Sequence, residues 1–349
     1  MVDTTERAID AARVIEIDFV RATEAAALNA LKWLGRGDKI AADDAATDAM
    51  RGTLNLVDMR GLCIIGEGIK DEAPGIFTNE KLGTWSPTGP RVDFAIDPID
   101  GTSLTAKGLP GAISVLAATV VADGTDRALA ELPAVYSYKL AYGPAVREAG
   151  GGIDMDAPIA QTLKIVAERL GKRVADLVVA LLDRPRHKDL ISQIRKAGAR
   201  IRLIGDGDVA MAIAPSMLNS TVDLYVGIGG SPEAVIAAAA VKCLAGQMHV
   251  RMWPRDDKER DALVGDGWGD QLKKVYDCDG LASGSEIMFA ATGISDSPML
   301  PGILLQSQHV HTHSILMRSR YRTVRYIHAI HDLSHKTIRL ASDEQEHLL

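Results

Sequence analysis

Apolar residues recur every three and four positions from Ile9 to Leu34, in a stretch rich in Ala, Glu, Leu and Arg. This period predicts a long amphipathic helix that stops at Gly35-Arg-Gly-Asp-Lys. A second helix is predicted from Ala41 to Val57. The pattern then changes to short apolar runs. Leu62-Cys-Ile-Ile and Val92-Asp-Phe-Ala-Ile read as buried strands, closed by Gly66-Glu-Gly and by Asp97-Pro98. The Pro- and Gly-rich stretch from Asp71 to Arg91 predicts a long surface loop or hairpin. Strands follow over Ala112 to Val121 and Ala134 to Leu140, and Gly150-Gly-Gly has the composition of a hinge.

Beyond that hinge the spacing predicts helix 159–170, strand Leu177 to Leu182, helix 187–197 and strand Arg200 to Ile204. Helix 208–214, strand Val222 to Ile228 and helix 232–245 come next. Arg255 to Lys274 reads as a charged, solvated helical excursion, and the chain returns to strands at Ile287 to Thr292, His313 to Arg318 and Thr323 to Ile330. Strands alternating with helices argue for a layered α/β fold in which helices sandwich two mixed β-sheets. Residues 1–150 are expected to form an N-terminal α+β lobe and residues 151–349 a C-terminal α/β lobe, the two making one compact unit.

Composition narrows the function classes. The 39 Lys+Arg against 46 Asp+Glu give a net charge of −7, which argues against nucleic acid as a partner. No apolar run reaches the ~18 residues of a membrane span, and the N-terminus shows no signal-peptide pattern. Three dispersed cysteines, Cys63, Cys243 and Cys278, suggest reduced thiols and a cytoplasmic setting.

Acidic residues follow the apolar strands directly: Glu67, then Asp97 and Asp100, then Glu233 at the start of a helix. The rim of a sheet is where α/β proteins bind ligands. Several like charges share such a place only with a cation among them, and hard divalent ions take oxygen ligands. In Asp97-Pro-Ile-Asp-Gly-Thr, Pro98 disfavours helix at Asp97 and Gly101 permits a tight turn, which brings two carboxylates beside the Thr102 hydroxyl. The pattern suits a two-metal clamp with a group that orients water. Taken singly, Asp-Pro and Asp-Gly are also ordinary turn residues.

The string Asp97 to Thr102 resembles the signature of the lithium-sensitive, metal-dependent phosphatase superfamily. Lys32-Trp-Leu-Gly-Arg-Gly-Asp-Lys, Ile65-Gly-Glu-Gly, Asp183-Arg-Pro-Arg-His, Asp206-Gly-Asp and Gly227-Ile-Gly-Gly-Ser-Pro-Glu are similar to class II, bacterial-type fructose-1,6-bisphosphatases. The resemblance runs from about Ile17 to His331, and the Trp-Asp motif of inositol-phosphatase-like enzymes is missing near Glu233. It implies a phosphoric monoester hydrolase that removes the 1-phosphate of fructose 1,6-bisphosphate with Mn²⁺ or Mg²⁺. It further implies Asp43, Glu67, Asp97, Asp100 and Glu233 as metal ligands, the Ile99 carbonyl as a further one, and Asp97 as a bridge between ions. Thr102, helped by Asp43, would orient the attacking water, so Asp43, Asp97, Asp100 and Thr102 are the catalytic candidates. Position 100 is a glutamate in some relatives of this class.

By the same matching, Asp100, Gly101 and Thr102 lie beside the scissile phosphate, and Tyr136 and Gly230 contact substrate. Tyr138 is a near alternative to Tyr136. Arg184 and Arg186 would hold the phosphate that is not cleaved, and Asp206 and Asp208 would lie near the sugar hydroxyls. The planar guanidinium fork suits phosphate oxygens. Cations at a helix start also oppose the macrodipole unless an anion docks between them. Arg184-Pro-Arg-His-Lys and Ala197 to Ile204 resemble dual enzymes that also cleave sedoheptulose 1,7-bisphosphate. A non-catalytic phosphosugar-binding regulator is the alternative of another class, and the family suggests a homodimer or homotetramer. Six of the nine histidines fall between His309 and His335, and His309, His311 and His313 alternate. That stripe reads as a polar sheet face or subunit contact more readily than as a transition-metal site.

Overall fold

The computed structural model describes residues 4–66, 75–122, 124–343 and 346–349. In chain order the first elements are α1 (Thr4–Leu31), α2 (Lys39–Leu54), β1 (Arg60–Ile65), β2 (Lys81–Leu82), β3 (Arg91–Asp100), α3 (Thr102–Lys107) and β4 (Ile113–Val120). Next come β5 (Tyr136–Tyr142), α4 (Pro144–Glu148), α5 (Ile159–Leu170), β6 (Val178–Leu182), α6 (Lys188–Ala197) and β7 (Arg200–Ile204). They lead to α7 (Val209–Ile213), β8 (Leu224–Gly230), α8 (Ser231–Cys243), β9 (Gln247–Met252), α9 (Asp257–Gly265) and α10 (Cys278–Leu281). The last are β10 (Ile287–Gly293), β11 (Leu304–Gln306), β12 (His309–Arg318), β13 (Thr323–Asp332), β14 (Thr337–Arg339) and β15 (Glu346–Leu348).

Two units result, Met1–Glu131 with Ala282–Leu349, and Leu132–Leu281. The first boundary differs from the division expected at residue 150. β5 lies before that point yet pairs with β8 and β9, and the late strands β10, β12 and β13 extend the first unit's sheet. Ladder hydrogen bonds set these boundaries, and Gly150 to Gly152 form only a bend within the second unit.

The first sheet has the order β11-β12-β10-β4-β3-β1-β2, with β13 also paired to β12. β1 runs parallel to β3 and the other pairs are antiparallel. The second sheet has the order β7-β6-β8-β5-β9, with β6 parallel to β7 and β8 and β5 antiparallel to its neighbours. Both sheets are mixed, and the fold is layered α/β as the alternation predicted.

In α1 the buried positions Ala12, Ile15, Phe19, Ala22, Ala26 and Ala30 step by three and four, the spacing of one helix face. That face joins Phe94, Leu116 and Met288 in one apolar cluster. Phe19 meets Phe94 edge-on, with ring centroids 5.2 Å apart and planes at 83°. The second unit packs Leu163 and Val166 of α5 against Val179, Leu181, Leu224 and Val226 of its sheet.

β3 runs on past the point where the sequence closes it. Asp97 pairs with Val115 and Asp100 with Ile113, so three steps along β3 oppose two along β4. This is a bulge, a form that accepts a proline with no N–H to donate. Gly101 then turns the chain at φ 97°. A Cβ there would lie 3.2 Å from Leu104 Cδ1 and 3.4 Å from Ala112 Cα. The left-handed backbone strains any other residue there, and the Leu104 side chain would also have to give way.

Phe19→Ala removes the largest side chain of the α1 face and is expected to lower the unfolding free energy by about 3–5 kcal/mol. Urea denaturation measures it, and a loss below about 1 kcal/mol would contradict this packing.

Candidate active site

The first unit positions two groups of candidate residues. Gly35 and Gly37 donate their N–H groups to the carbonyls of Thr105 (2.9 Å) and Ala106 (2.8 Å) in α3. A Cβ on Gly108 would come within 3.3 Å of Gly35 Cα, so this approach needs glycine. The loop thus ties the start of α2 to the helix that follows Asp97 to Thr102. Asp38 caps α2, accepting from the Ala41 N–H at 3.0 Å.

Asp43, one turn into α2, is half-buried, and among the described residues its buried Oδ1 has no hydrogen-bond partner. Burial, and secondarily the neighbouring Asp44 charge, push its carboxyl up to about 6. Asp97 and Asp100 are 2% and 3% exposed. Asp97 Oδ1 accepts from the Ile99 N–H at 3.0 Å, and the Thr102 hydroxyl donates to the Ile99 carbonyl at 3.1 Å. Glu67 lies outside the described residues.

The second unit gathers the other candidates around β5 and β8. The Arg186 guanidinium sits 4.4 Å over the Tyr136 ring and donates through Nε and Nη2 to the Ile228 carbonyl at 3.1 and 2.7 Å. Tyr136 pairs in register with Gly230, while Tyr138 packs on the unit's apolar core. Arg184 donates to Asp206 Oδ1 at 2.9 Å and to the Gly205 carbonyl. Asp208 is buried, and its carboxylate accepts from Lys139 Nζ at 2.8 and 3.0 Å and from the Tyr225 hydroxyl at 2.7 Å.

Glu233 stands in the first turn of α8 with Oε2 buried and unpartnered among the described residues. Burial holds its carboxyl above the usual range; the Lys139 charge opposes this and the Asp208 charge adds to it. A Cβ on Gly229 would collide with Asp208 Oδ2, and one on Gly230 with Glu233 Oε2. The two glycines leave room for the two carboxylates.

A family profile described as bacterial fructose-1,6-bisphosphatase, glpX-encoded, matches residues 13–331. The class 2 fructose-1,6-bisphosphatase of Haemophilus influenzae is 42% identical over 332 residues, covering 92% of this chain and 97% of that protein. Fructose-1,6-bisphosphatase 1 class 2 of Escherichia coli K12 is 40% identical over 335 residues, covering 93% and 97%. The chain belongs to the bacterial, glpX-type fructose-1,6-bisphosphatase family. Among solved structures, an extragenic suppressor from Pyrococcus furiosus aligns at 15% identity and a TM-score of 0.29, over 58% of this chain and 68% of that one.

Within this bisphosphatase, the first unit brings Asp97, the Ile99 peptide, Asp100 and Thr102 into one bulged strand end, with Asp43 on a helix that packs against β3 and α3. The second unit brings Tyr136, Arg186 and Gly230 together, and separately Asp208 with Lys139. Among the described residues no three His, Cys, Asp or Glu side chains close on one point by themselves. His311, His313 and His328 form a stack with centroids 5.1 and 4.7 Å apart and supply no such cluster. Each unit thus keeps one buried carboxylate oxygen, on Asp43 and on Glu233, without a hydrogen-bond partner among the described residues; such oxygens are hard donors of the kind divalent ions take.

Lys139, Tyr225 and His187 were not singled out from sequence. Lys139 carried a signal: a cation inside an apolar strand demands a buried partner.

Lys139 is 0% exposed and Asp208 4%, so Lys139→Met strands a buried carboxylate and is expected to cost about 3–5 kcal/mol of stability. Lys139→Met with Asp208→Leu should recover most of that loss in chemical denaturation; no recovery would contradict the pairing.

Proposed function

We propose that this chain is a divalent-metal-dependent fructose-1,6-bisphosphatase that releases the 1-phosphate and leaves fructose 6-phosphate. Family membership over residues 13–331 supports the substrate. The observation that carries the metal dependence is that Asp43 in the first unit and Glu233 in the second each keep a buried oxygen with no hydrogen-bond partner among the described residues. Asp43, Glu67, Asp97, Asp100 and Glu233 would hold Mg²⁺ or Mn²⁺. When bound, such ions acidify a coordinated water and offset charge on the phosphate oxygens.

The residues' own work follows from their bonds. Thr102 spends its proton on the Ile99 carbonyl, so its oxygen is left to accept from the attacking water and aim it. Asp43, on the helix tied to α3 by the Gly35 and Gly37 bonds, would help Thr102 orient that water. Asp100, Gly101 and Thr102 would flank the scissile phosphate. Arg184 and Arg186 keep further N–H groups for the second phosphate, since a guanidinium has five donors, and Tyr136 braces Arg186. Asp206, Asp208 and Gly230 would border the sugar. Asp208 already accepts three bonds, which leaves about one lone-pair site for a hydroxyl.

Activity on sedoheptulose 1,7-bisphosphate is the finer reading. The exposed apolar residues Leu304, Leu305, Tyr326 and Ile330 support assembly into a homodimer or homotetramer. Three buried, unbridged cysteines suit a reducing, cytoplasmic setting. No helix among the described residues is long and apolar enough to cross a membrane.

Phosphate release measured on both bisphosphates, with Mg²⁺ or Mn²⁺ and after chelation, is expected to show metal-dependent hydrolysis of the fructose ester. A binder that never turns over would establish the regulator reading instead. Asp97→Asn should lower kcat by at least about 100-fold while keeping the thermal midpoint; near-full activity would remove Asp97 from the site.

A further inference from the structure

β6 and β8 run parallel but pair only at Val179 with Leu224 and at Ala180 with Tyr225. Beyond that the ladder opens, and the His187 ring fills the opening. His187 is 1% exposed. One ring nitrogen, Nδ1, lies 2.7 Å from the Leu182 carbonyl at the end of β6. The other, Nε2, accepts from the Ile228 N–H in β8 at 2.7 Å. Because Nε2 must offer a lone pair there, the proton sits on Nδ1 and the ring is neutral.

The same Ile228 peptide is held at its other end, where its carbonyl accepts from Arg186 Nε and Nη2. Gly227 lets the ring approach: its φ is 154°, and a Cβ there would lie 3.2 Å from His187 Nε2. One imidazole thus replaces a rung of the sheet and sets the gap between β6 and β8. Arg186 is its chain neighbour, and Gly230, two residues past Ile228, is the register partner of Tyr136.

We propose that His187 is a positioning residue: its neutral, Nδ1-protonated ring wedges the two strands apart and so fixes the guanidinium arm, Arg184 and Arg186, that grips the phosphate which stays on the sugar. This rests on the arm's role under the reading above. Protonation of Nε2 would set two donors, Nε2–H and the Ile228 N–H, against each other and release the wedge. Burial is the largest effect and lowers the ring's affinity for a proton; the Arg186 and Arg184 charges facing it act the same way, and the bond to the Leu182 carbonyl and the Asp208 charge oppose them. The window follows from linkage. As pH falls from the ordinary imidazole value of 6.5 toward the lower value in the folded protein, the unfolded chain takes up a proton the folded one refuses. This contribution to stability is therefore present above that window and is lost through it.

The test compares His187→Leu, which fills the space without either bond, and His187→Gln, which can restore one, using fructose 1,6-bisphosphate and fructose 1-phosphate. His187→Leu should raise KM for the bisphosphate about tenfold or more while kcat stays within about threefold and KM for fructose 1-phosphate is unchanged; His187→Gln should fall between. The acid rise in the KM ratio of bisphosphate to monophosphate should vanish in His187→Leu. Equal changes for both substrates, or an unchanged bisphosphate KM, would overturn the proposal. Imidazole ¹⁵N spectra of the wild-type protein at pH 7 test the wedge without any turnover. A neutral Nδ1–H ring assigned by its loss in His187→Leu supports it, and a doubly protonated ring overturns it. If the wild-type protein releases no phosphate, the functional reading fails, and these spectra still decide the wedge.

Discussion

A carboxylate removed from water needs donors or a cation, and that requirement shapes both units of this protein. Some buried acids are satisfied by the chain. Asp208 receives Lys139 and Tyr225, and Asp93 accepts from the Ala128 N–H at 2.6 Å. Asp43 and Glu233 are not, since each keeps a buried oxygen without a bond among the described residues. Burying such groups costs stability at neutral pH, and under the proposed function a divalent ion would offset that cost. Contrast within one chain makes the point: the same residue type is either neutralised internally or left waiting.

Backbone geometry follows from that constraint. Gly229 and Gly230 are bare because carboxylate oxygens occupy the space a Cβ would take. The bulge between Asp97 and Asp100 lets two acids and a proline share the end of a central strand. Gly35 and Gly108 approach closely enough to tie the Asp43 helix to the helix following the bulge. In each case an irregularity in otherwise regular structure sits near a candidate site residue, as expected where local geometry serves chemistry.

Much of this was legible beforehand. The three- and four-residue period of α1 and the alternation from α5 to α8 were strong because one face of each helix is apolar. The place of Asp97 and Asp100 at a strand end was legible because an apolar run precedes them. Other features were hidden. β9 was missed although Gln247 to Met252 alternate in burial, because the apolar pattern of α8 runs almost into it. The pairing of β5 with β8 and β9 was hidden because ladder partners far away in sequence, Tyr136 with Gly230 for example, leave no local trace. The wedge formed by His187 was invisible for the same reason: its two bonds reach Leu182 and Ile228, and only one of those is near in the chain.

The most direct measurement is anomalous diffraction from crystals grown with Mn²⁺ and fructose 6-phosphate. The account predicts manganese peaks with oxygens of Asp43, Asp97, Asp100 and Glu233 at about 2.0–2.3 Å. Peaks confined to other residues, with the Asp43 and Glu233 oxygens still unligated, would contradict it.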